Sequence, residues 1–217
     1  MEYAAVTVAT LAAAPLALLA QHLAGHMIVS ERSEWAFQGQ QIRRVHHQPQ
    51  TLLIGAFLAL ALGAAAWRLG FGLQLLLAVA FIVGLVVLAS VDFQILILPD
   101  AGTQPLLWLG LIAGGAGVFL APAEAILGAA TGYALIWLVH HLGRMLPSSS
   151  GMGMGDAKLL AAIGAWTGHL AAIQTLALAM GAMALVGLVA RRHRGDALPL
   201  GPGLAAAGIA IFVWAPT

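Results

Sequence analysis

Seven long apolar runs, separated by short polar segments, constrain the fold of this chain more than any other feature. They cover residues 4–29, 51–67, 73–91, 105–121, 123–142, 157–190 and 201–217. An α-helix needs about 20 apolar residues to cross a bilayer, so these runs occupy most of the 217 residues. Only 8% of the residues are charged, far below the roughly 25% of a soluble domain. The sequence therefore predicts an all-α, polytopic protein embedded in the lipid bilayer.

The sixth apolar run is too long for one ordinary span. As one continuous helix it would extend about 50 Å, whereas the hydrocarbon core of a bilayer is about 30 Å thick. Gly168, His169 and Gln174 lie near the middle of the run. We therefore divide it there and predict eight transmembrane helices.

The basic residues provide an independent test of this count, because Lys and Arg near span ends collect on the cytoplasmic side. With eight spans and a non-cytoplasmic N-terminus, eight of the nine basic residues lie on the cytoplasmic side and only Arg68 lies outside. A single span over 157–190 would put the basic cluster after it on the wrong side. The eight cytoplasmic residues are Arg32, Arg43, Arg44, Arg144, Lys158, Arg191, Arg192 and Arg194.

The small number of charges excludes several classes of function. The formal net charge is +1, so the chain lacks the concentrated basic surface that binds nucleic-acid phosphates, and we expect no nucleic-acid partner. The sequence contains no cysteine, which excludes disulfides, thiolate metal sites and a cysteine nucleophile. The useful information lies in where the charged residues fall.

Two aspartates stand at positions where the membrane makes a carboxylate costly. Asp92 directly follows the apolar run 73–91, and Asp156 immediately precedes the run that begins at Ala157. An acidic residue at a membrane boundary indicates a functional site by default. On the predicted topology both aspartates lie at cytoplasmic ends of helices and at a similar depth, so they could face each other across a helix bundle.

Two facing carboxyl groups that share one proton are the device of aspartic proteases, in which one activates water and the other protonates the peptide carbonyl. The alternative is that each aspartate caps a helix at the interface. Capping suits Asp156, because a helix begins after it, but not Asp92, which ends one. Pro99 indicates that the helix containing Asp92 stops or bends nearby.

Small residues surround Asp156 in the sequence. They would let an extended substrate backbone approach closely, although a flexible loop is the alternative interpretation of the same segment. These residues are Ser148, Ser149, Ser150, Gly151, Gly153 and Gly155.

Three ordered motifs resemble those of the type IV prepilin peptidases, which are polytopic aspartic proteases of the GxGD class. The first runs from Asp92 to Leu98, Pro99 and Asp100 and continues over 105–111, similar to the family's D-x5-L-P-D segment and the helix after it. The second runs from Gly153, Met154, Gly155 and Asp156 through 157–166. The third, at 198–202, is similar to the family's P-F-G-P element, with Leu200 in place of the usual Phe.

The resemblance, which covers about 75–210, implies a function and a site. It implies that Asp92 and Asp156 are the catalytic pair, and that the substrates are leader peptides of type IV prepilins or of type II secretion pseudopilins. It also implies cleavage at the cytoplasmic face of the bacterial inner membrane, without a metal or other cofactor for proteolysis.

The same resemblance gives Asp100 and Lys158 supporting roles, alongside Gly153 and Gly155. For Asp100 the alternative is an interfacial or capping aspartate. Lys158 matches the basic residue of G-x-G-D-x-K, where it would tune a carboxylate or pair with Asp100. The alternative for Lys158 is a basic residue that only anchors the topology.

The N-terminal part departs from the family. Bifunctional members carry a G-S-F-L-N-V-V-I-x-R-L-P segment, often with a four-cysteine zinc-binding loop, and methylate the new N-terminus with S-adenosylmethionine. The matching region here, from Gly25 to Arg32, is a poor match. We therefore divide the chain into N-terminal helices at 1–72, with a cytosolic loop at 30–50, and a peptidase core at 73–217. S-adenosylmethionine is expected only if methyl transfer is retained.

Two other functions compete with a peptidase: a small proton- or cation-coupled transporter that uses the boundary aspartates, and a catalytically silent scaffold for pilus assembly. A transporter would carry charges near mid-membrane or broken helices.

Among the remaining motifs, the spacings Gly110/Gly114 and Gly128/Gly132 predict close helix packing in lipid. His22 and His26, four residues apart, could share a ligand, but we expect polar contacts at the end of the first helix.

Overall fold

The computed structural model describes residues 2–37, 51–143, 153–189 and 199–214. These residues form eight α-helices and no strand, which confirms the predicted all-α fold. The helices are α1 (Glu2–Phe37), α2 (Thr51–Leu69), α3 (Leu73–Ile95), α4 (Asp100–Gly115), α5 (Pro122–Gly143), α6 (Met154–Thr167), α7 (His169–Val189) and α8 (Gly201–Trp214).

Four of the described helices contain a segment long and apolar enough to cross a membrane: Tyr3–Glu31, Leu73–Ile95, Pro122–Leu142 and His169–Leu188. The chain is therefore a multi-pass membrane protein. The other helices are shorter, with 19 residues in α2, 16 in α4 and 14 each in α6 and α8. Those lengths correspond to about 21–29 Å, so the number of complete spans stays a prediction.

The chain forms two compact units, Met1–Ile97 and Leu98–Thr217. The division of function at residues 72 and 73 stays a prediction. In the stretch predicted as a cytosolic loop, residues 30–37 continue α1, and 38–50 lie outside the described residues. Several other predicted features also lie outside them: Arg43, Arg44, Arg144, the small residues 148–151, and Arg191, Arg192 and Arg194.

The first unit is a three-helix bundle whose interior is lined by small side chains of α1. Alanines recur every three or four positions on one face of this helix and are buried, which lets α2 approach closely. Gly55 of α2 faces Ala17, and Gly63 faces Thr10, which would lie 3.1 Å from a Cβ at Gly63. The buried alanines are Ala5, Ala9, Ala13, Ala17, Ala20 and Ala24.

The second unit is built around α6, which packs against α4, α5, α7 and α8 and is buried along almost its whole length. Its backbone lies directly against α5. A Cβ on Gly128 would collide with the carbonyl of Gly164, and a Cβ on Gly132 would collide with the carbonyl of Leu160. The close packing predicted for the Gly128/Gly132 spacing is thus confirmed.

The α4–α6 contact also depends on glycine. A Cβ on Gly110 would lie 2.6 Å from the Trp166 ring, and one on Gly114 would overlap Ala125 of α5. The Trp166 indole N–H donates a hydrogen bond of 2.9 Å to the carbonyl of Leu106. This confirms the close packing predicted for Gly110 and Gly114, and it ties α6 firmly to α4.

The long apolar run 157–190 is interrupted at Gly168, as predicted. Gly168 has φ 88°, a conformation that side-chain-bearing residues rarely adopt, and its N–H donates to the carbonyl of Gly164 at the end of α6. The next residue, His169, begins α7, and its Nδ1 lies 2.7 Å from Oε2 of Glu124 in the first turn of α5. The run therefore forms two helices.

Candidate functional site

Asp92 lies in the last turn of α3 and is buried, with 5% relative exposure. Its backbone carbonyl accepts a hydrogen bond of 2.8 Å from the N–H of Leu96, the C-cap residue of the helix. Leu96 adopts a left-handed conformation with φ 55°, which costs roughly 1–2 kcal/mol for a residue with a side chain. The chain thus leaves α3 sharply, one turn after Asp92.

Asp156 is the third residue of α6 and is also buried, at 9% relative exposure. The N-cap of this helix is Gly153, so the alternative in which Asp156 caps the helix is wrong. The helix begins three residues before the apolar run at Ala157, because the Gly-Met-Gly stretch already adopts helical geometry at Met154. A carboxylate in the first turn of a helix is stabilised by the partial positive charge of that end.

The two glycines before Asp156 have specific neighbours. A Cβ on Gly155 would lie 2.9 Å from the Cβ of Leu98, a separation at which one of the two segments must move. A Cβ on Gly153 would lie 3.4 Å from Oδ2 of Asp156. Glycine at position 155 therefore lets the segment before α4 lie against the first turn of α6, and glycine at position 153 leaves space beside the carboxylate.

An ion pair joins the N-terminal ends of α4 and α6. The Lys158 ammonium donates to both carboxylate oxygens of Asp100, at 2.6 and 2.8 Å. Pairing with Asp100, one of the roles that the sequence left open for Lys158, is therefore observed. The side chains are 30% and 61% exposed for Lys158 and Asp100, and an exposed pair of this kind is worth about 0–1 kcal/mol.

The second unit thus brings together most of the predicted site residues. Asp100, Gly153, Gly155, Asp156 and Lys158 lie where the segment before α4 meets the first turn of α6. Asp92 belongs to the first unit, at the end of α3. Their catalytic and supporting roles stay predictions.

Two structural residues of this region were not singled out by sequence reasoning. Leu98 contacts the position of Gly155, and Trp166 fixes α6 to α4 through the carbonyl of Leu106. Both belong to the motifs that resemble the family, but only as apolar residues, and an apolar residue in such a motif predicts no particular contact. Their roles follow from tertiary packing.

The residues that correspond to the family's methyltransferase segment, Gly25 to Arg32, lie inside the continuous helix α1. Backbone N–H groups are hydrogen-bonded along such a helix, so this stretch offers no loop of free N–H groups to hold S-adenosylmethionine.

The fold and these motifs define a multi-pass, all-helical membrane protein with two buried aspartates near helix ends. The family model for the type IV leader peptidase family matches residues 79–188. The chain belongs to this family. The matched region includes both Asp92 and Asp156.

Several curated proteins are similar to the chain, and three illustrate the relationship. Each carries the name prepilin leader peptidase/N-methyltransferase. The Xanthomonas campestris pv. campestris protein is 39% identical over 155 residues, which cover 70% of this chain and 54% of the relative. The Pseudomonas putida protein is 40% identical, over 69% of this chain and 53% of the relative. The Burkholderia pseudomallei (strain K96243) protein is 42% identical, over 70% of this chain and 50% of the relative.

The chain thus spans about half the length of these relatives. No solved structure gives a significant match to it.

Proposed function

We propose that this protein is a membrane aspartic endopeptidase that removes leader peptides from type IV prepilins or type II secretion pseudopilins. The observation that carries the proposal is that the family match includes both buried aspartates. The cluster around Asp156 supports it, because an ion pair and an apolar contact hold the first turn of α6 in place. No observation favours a transporter over the peptidase function of this family.

In the proposed mechanism Asp92 and Asp156 form one acid–base pair that shares a proton. The ionised carboxylate removes a proton from water, and the water oxygen attacks the carbonyl carbon of the scissile peptide bond. The protonated carboxyl donates its proton to the carbonyl oxygen. Collapse of the tetrahedral intermediate breaks the C–N bond as a proton passes to the leaving amine. The pair titrates as a unit, so neither residue is assigned as the acid.

We propose that cleavage takes place at the cytoplasmic face of the bacterial inner membrane. The positive-inside rule supports this orientation, since Arg32 and Lys158 fall on the same predicted side as both aspartates. Proteolysis by two carboxyl groups needs no metal or organic cofactor.

The proposal does not include methyl transfer, although the relatives are named N-methyltransferases. The Gly25–Arg32 stretch is part of a regular helix and matches the corresponding segment of bifunctional members poorly. We therefore propose no role for S-adenosylmethionine.

The function can be tested with the purified full chain in detergent micelles or lipid nanodiscs, incubated with prepilins that carry their leaders. We expect two products, and mass spectrometry should locate the cut at the boundary between the leader and the apolar helix. With S-adenosylmethionine added, the mature product should gain no methyl group. Absence of cleavage across several prepilins and pseudopilins would contradict the peptidase proposal, and a methylated product would contradict its restriction to proteolysis.

Replacing Gly155 with alanine should impair leader cleavage by about ten-fold or more, because the added methyl group pushes α6 away from Leu98. Overpacking of this kind costs typically 1–3 kcal/mol. The measurement is kcat/KM for leader cleavage. The rescue variant Gly155→Ala/Leu98→Gly removes the Cβ of Leu98 that the new methyl group would meet, so it should regain part of the activity. A Gly155→Ala variant as active as the native chain would contradict the importance of this contact.

Breaking the Asp100–Lys158 ion pair should have a smaller effect than removing a catalytic carboxylate. We expect Asp100→Asn and Lys158→Met each to lower kcat/KM less than about ten-fold, because an exposed pair contributes about 0–1 kcal/mol. The exchanged variant Asp100→Lys/Lys158→Asp should recover most of the loss. Abolished cleavage in Asp100→Asn would instead place Asp100 in the chemical step.

A further inference from the structure

His22 and His26 form a histidine pair on one face of α1. Their Nε2 atoms lie 3.1 Å apart, and their rings meet edge to face with centroids separated by 4.5 Å. Both residues are exposed. Within the described part of the chain, the only hydrogen bond recorded for each ring is to the other histidine.

The separation of the two nitrogens suits a shared metal ion. Imidazole nitrogens bind Zn²⁺ at about 2.0–2.1 Å, so two nitrogens bound to one ion at about 90–110° lie roughly 3 Å apart. As a hydrogen bond, the same contact requires one Nε2 to carry the proton and the other to accept it. Metal binding instead needs both Nε2 atoms unprotonated. In the ring that carries its proton on Nε2, a shift of that proton to Nδ1 meets this need without any movement of the backbone.

The pair is placed where a hydrated ion can reach it. His22 lies about 30 Å along the helix axis from Glu2, which equals the thickness of the hydrocarbon core. His22 and His26 lie in the last third of the apolar run 4–29, and Gln21 and His22 are the first polar side chains of α1 after Thr10. Gly25, between the two histidines, has no atom within 4 Å of an added Cβ, so the face beside the rings is open.

We propose that His22 and His26 bind one borderline divalent transition-metal ion, such as Cu²⁺ or Zn²⁺, through their two Nε2 atoms. Water molecules complete the coordination, because no group of three or more histidine, cysteine, aspartate or glutamate side chains that could hold a metal occurs in the described residues. With two protein ligands the site is exchangeable, and Cu²⁺ binds most tightly among the divalent ions of the first transition series. The proposal does not depend on the peptidase function.

The test is a Cu²⁺ titration of the full chain in detergent micelles, purified without a histidine tag and followed by electron paramagnetic resonance. We expect one equivalent of Cu²⁺ with nitrogen ligands. His22→Ala and His26→Ala should each weaken its binding by at least about ten-fold, because one nitrogen ligand is lost. Both side chains are exposed, so the variants should fold, and monodisperse elution with unchanged helical circular dichroism checks this.

Three matched variants make the result specific. Leu23→His/His26→Ala keeps two histidines on α1 but at adjacent positions, whose side chains diverge by about 100°, so it should bind as weakly as the single variants. Leu23 is 40% exposed and tolerates the change. The chain has two further histidine pairs, each at adjacent positions, His46 and His47 and His140 and His141. The variants His140→Ala/His141→Ala and His46→Ala/His47→Ala should bind Cu²⁺ like the native chain.

The proposal is overturned if His22→Ala/His26→Ala binds Cu²⁺ as tightly as the native chain, or if the Leu23→His/His26→Ala variant does. The proposal is also overturned if the His140→Ala/His141→Ala or the His46→Ala/His47→Ala variant no longer binds one equivalent of Cu²⁺ tightly. The ion would then need ligands other than His22 and His26.

Discussion

Replacing either Asp92 or Asp156 with asparagine is expected to lower kcat/KM for leader cleavage by at least about 100-fold, the lower end of what a positioned acid or base contributes. Asparagine keeps the size of the side chain but can neither accept the proton of the attacking water nor supply one to the carbonyl oxygen. Both aspartates are buried, so bulk water is poorly placed to substitute for the missing group.

The matched control for this loss is Glu124→Gln, which removes a carboxylate from the second unit far from the motifs in sequence. Glu124 contacts His169 at the start of α7, and its loss should leave cleavage within a few-fold of the native rate. Helical circular dichroism and elution volume should be unchanged in all three variants. If either aspartate variant retains the native rate, the assignment of the catalytic pair is wrong.

The second large effect concerns the contact between α5 and α6. Gly128→Ala and Gly164→Ala should each lower the free energy of unfolding by about 1–3 kcal/mol or more, because the new methyl group meets a backbone carbonyl of the facing helix. A backbone atom cannot move aside as the end of a flexible side chain can. Since α6 carries Asp156, separation of the two helices should also reduce leader cleavage. Unfolding in detergent, followed by tryptophan fluorescence, measures the effect on stability.

Gly181→Ala supplies the matched control for these substitutions. Gly181 lies inside α7, and a Cβ there would meet no atom within 4 Å. Alanine in an open helical position is roughly 0.5–1 kcal/mol more favourable than glycine, so this variant should be as stable as the native chain or more stable. Equal losses in Gly181→Ala and Gly128→Ala would contradict the role of the α5–α6 contact, because the methyl group added at Gly181 meets no neighbouring atom.

The apolar runs were sufficient to predict the helices, because in lipid every backbone polar group must be bonded within the chain. Length and basic-residue placement also located the break at Gly168, which the structure confirms. Helix ends were less predictable. The fourth run, 105–121, gave the position of α4, but the helix covers Asp100–Gly115. It begins earlier because the carbonyl of Pro99 accepts the N–H groups of Gly102 and Thr103, and hydropathy does not register such contacts.

The proposed catalytic aspartates could be singled out from the sequence because carboxylates are scarce in this chain and costly in lipid. What could not be predicted were contacts between segments distant in sequence. The sequence left two roles open for Lys158, and only the folded arrangement of α4 and α6 brings its ammonium onto Asp100. The contact of Leu98 with Gly155 likewise depends on the packing of the second unit. Asp156 lies within the helix because Gly153 provides the N-cap.

The central proposal, that Asp92 and Asp156 act as one catalytic pair, can be tested directly by cross-linking, because the chain has no cysteine of its own. The variant Asp92→Cys/Asp156→Cys, treated in membranes with a short thiol-reactive cross-linker, should give an intramolecular link detectable by mass spectrometry. The control Asp92→Cys/Glu124→Cys should give none, since the predicted topology puts Glu124 at the opposite face. A link in both variants or in the control alone, or no link in the aspartate pair under conditions where both thiols react, would contradict a shared site.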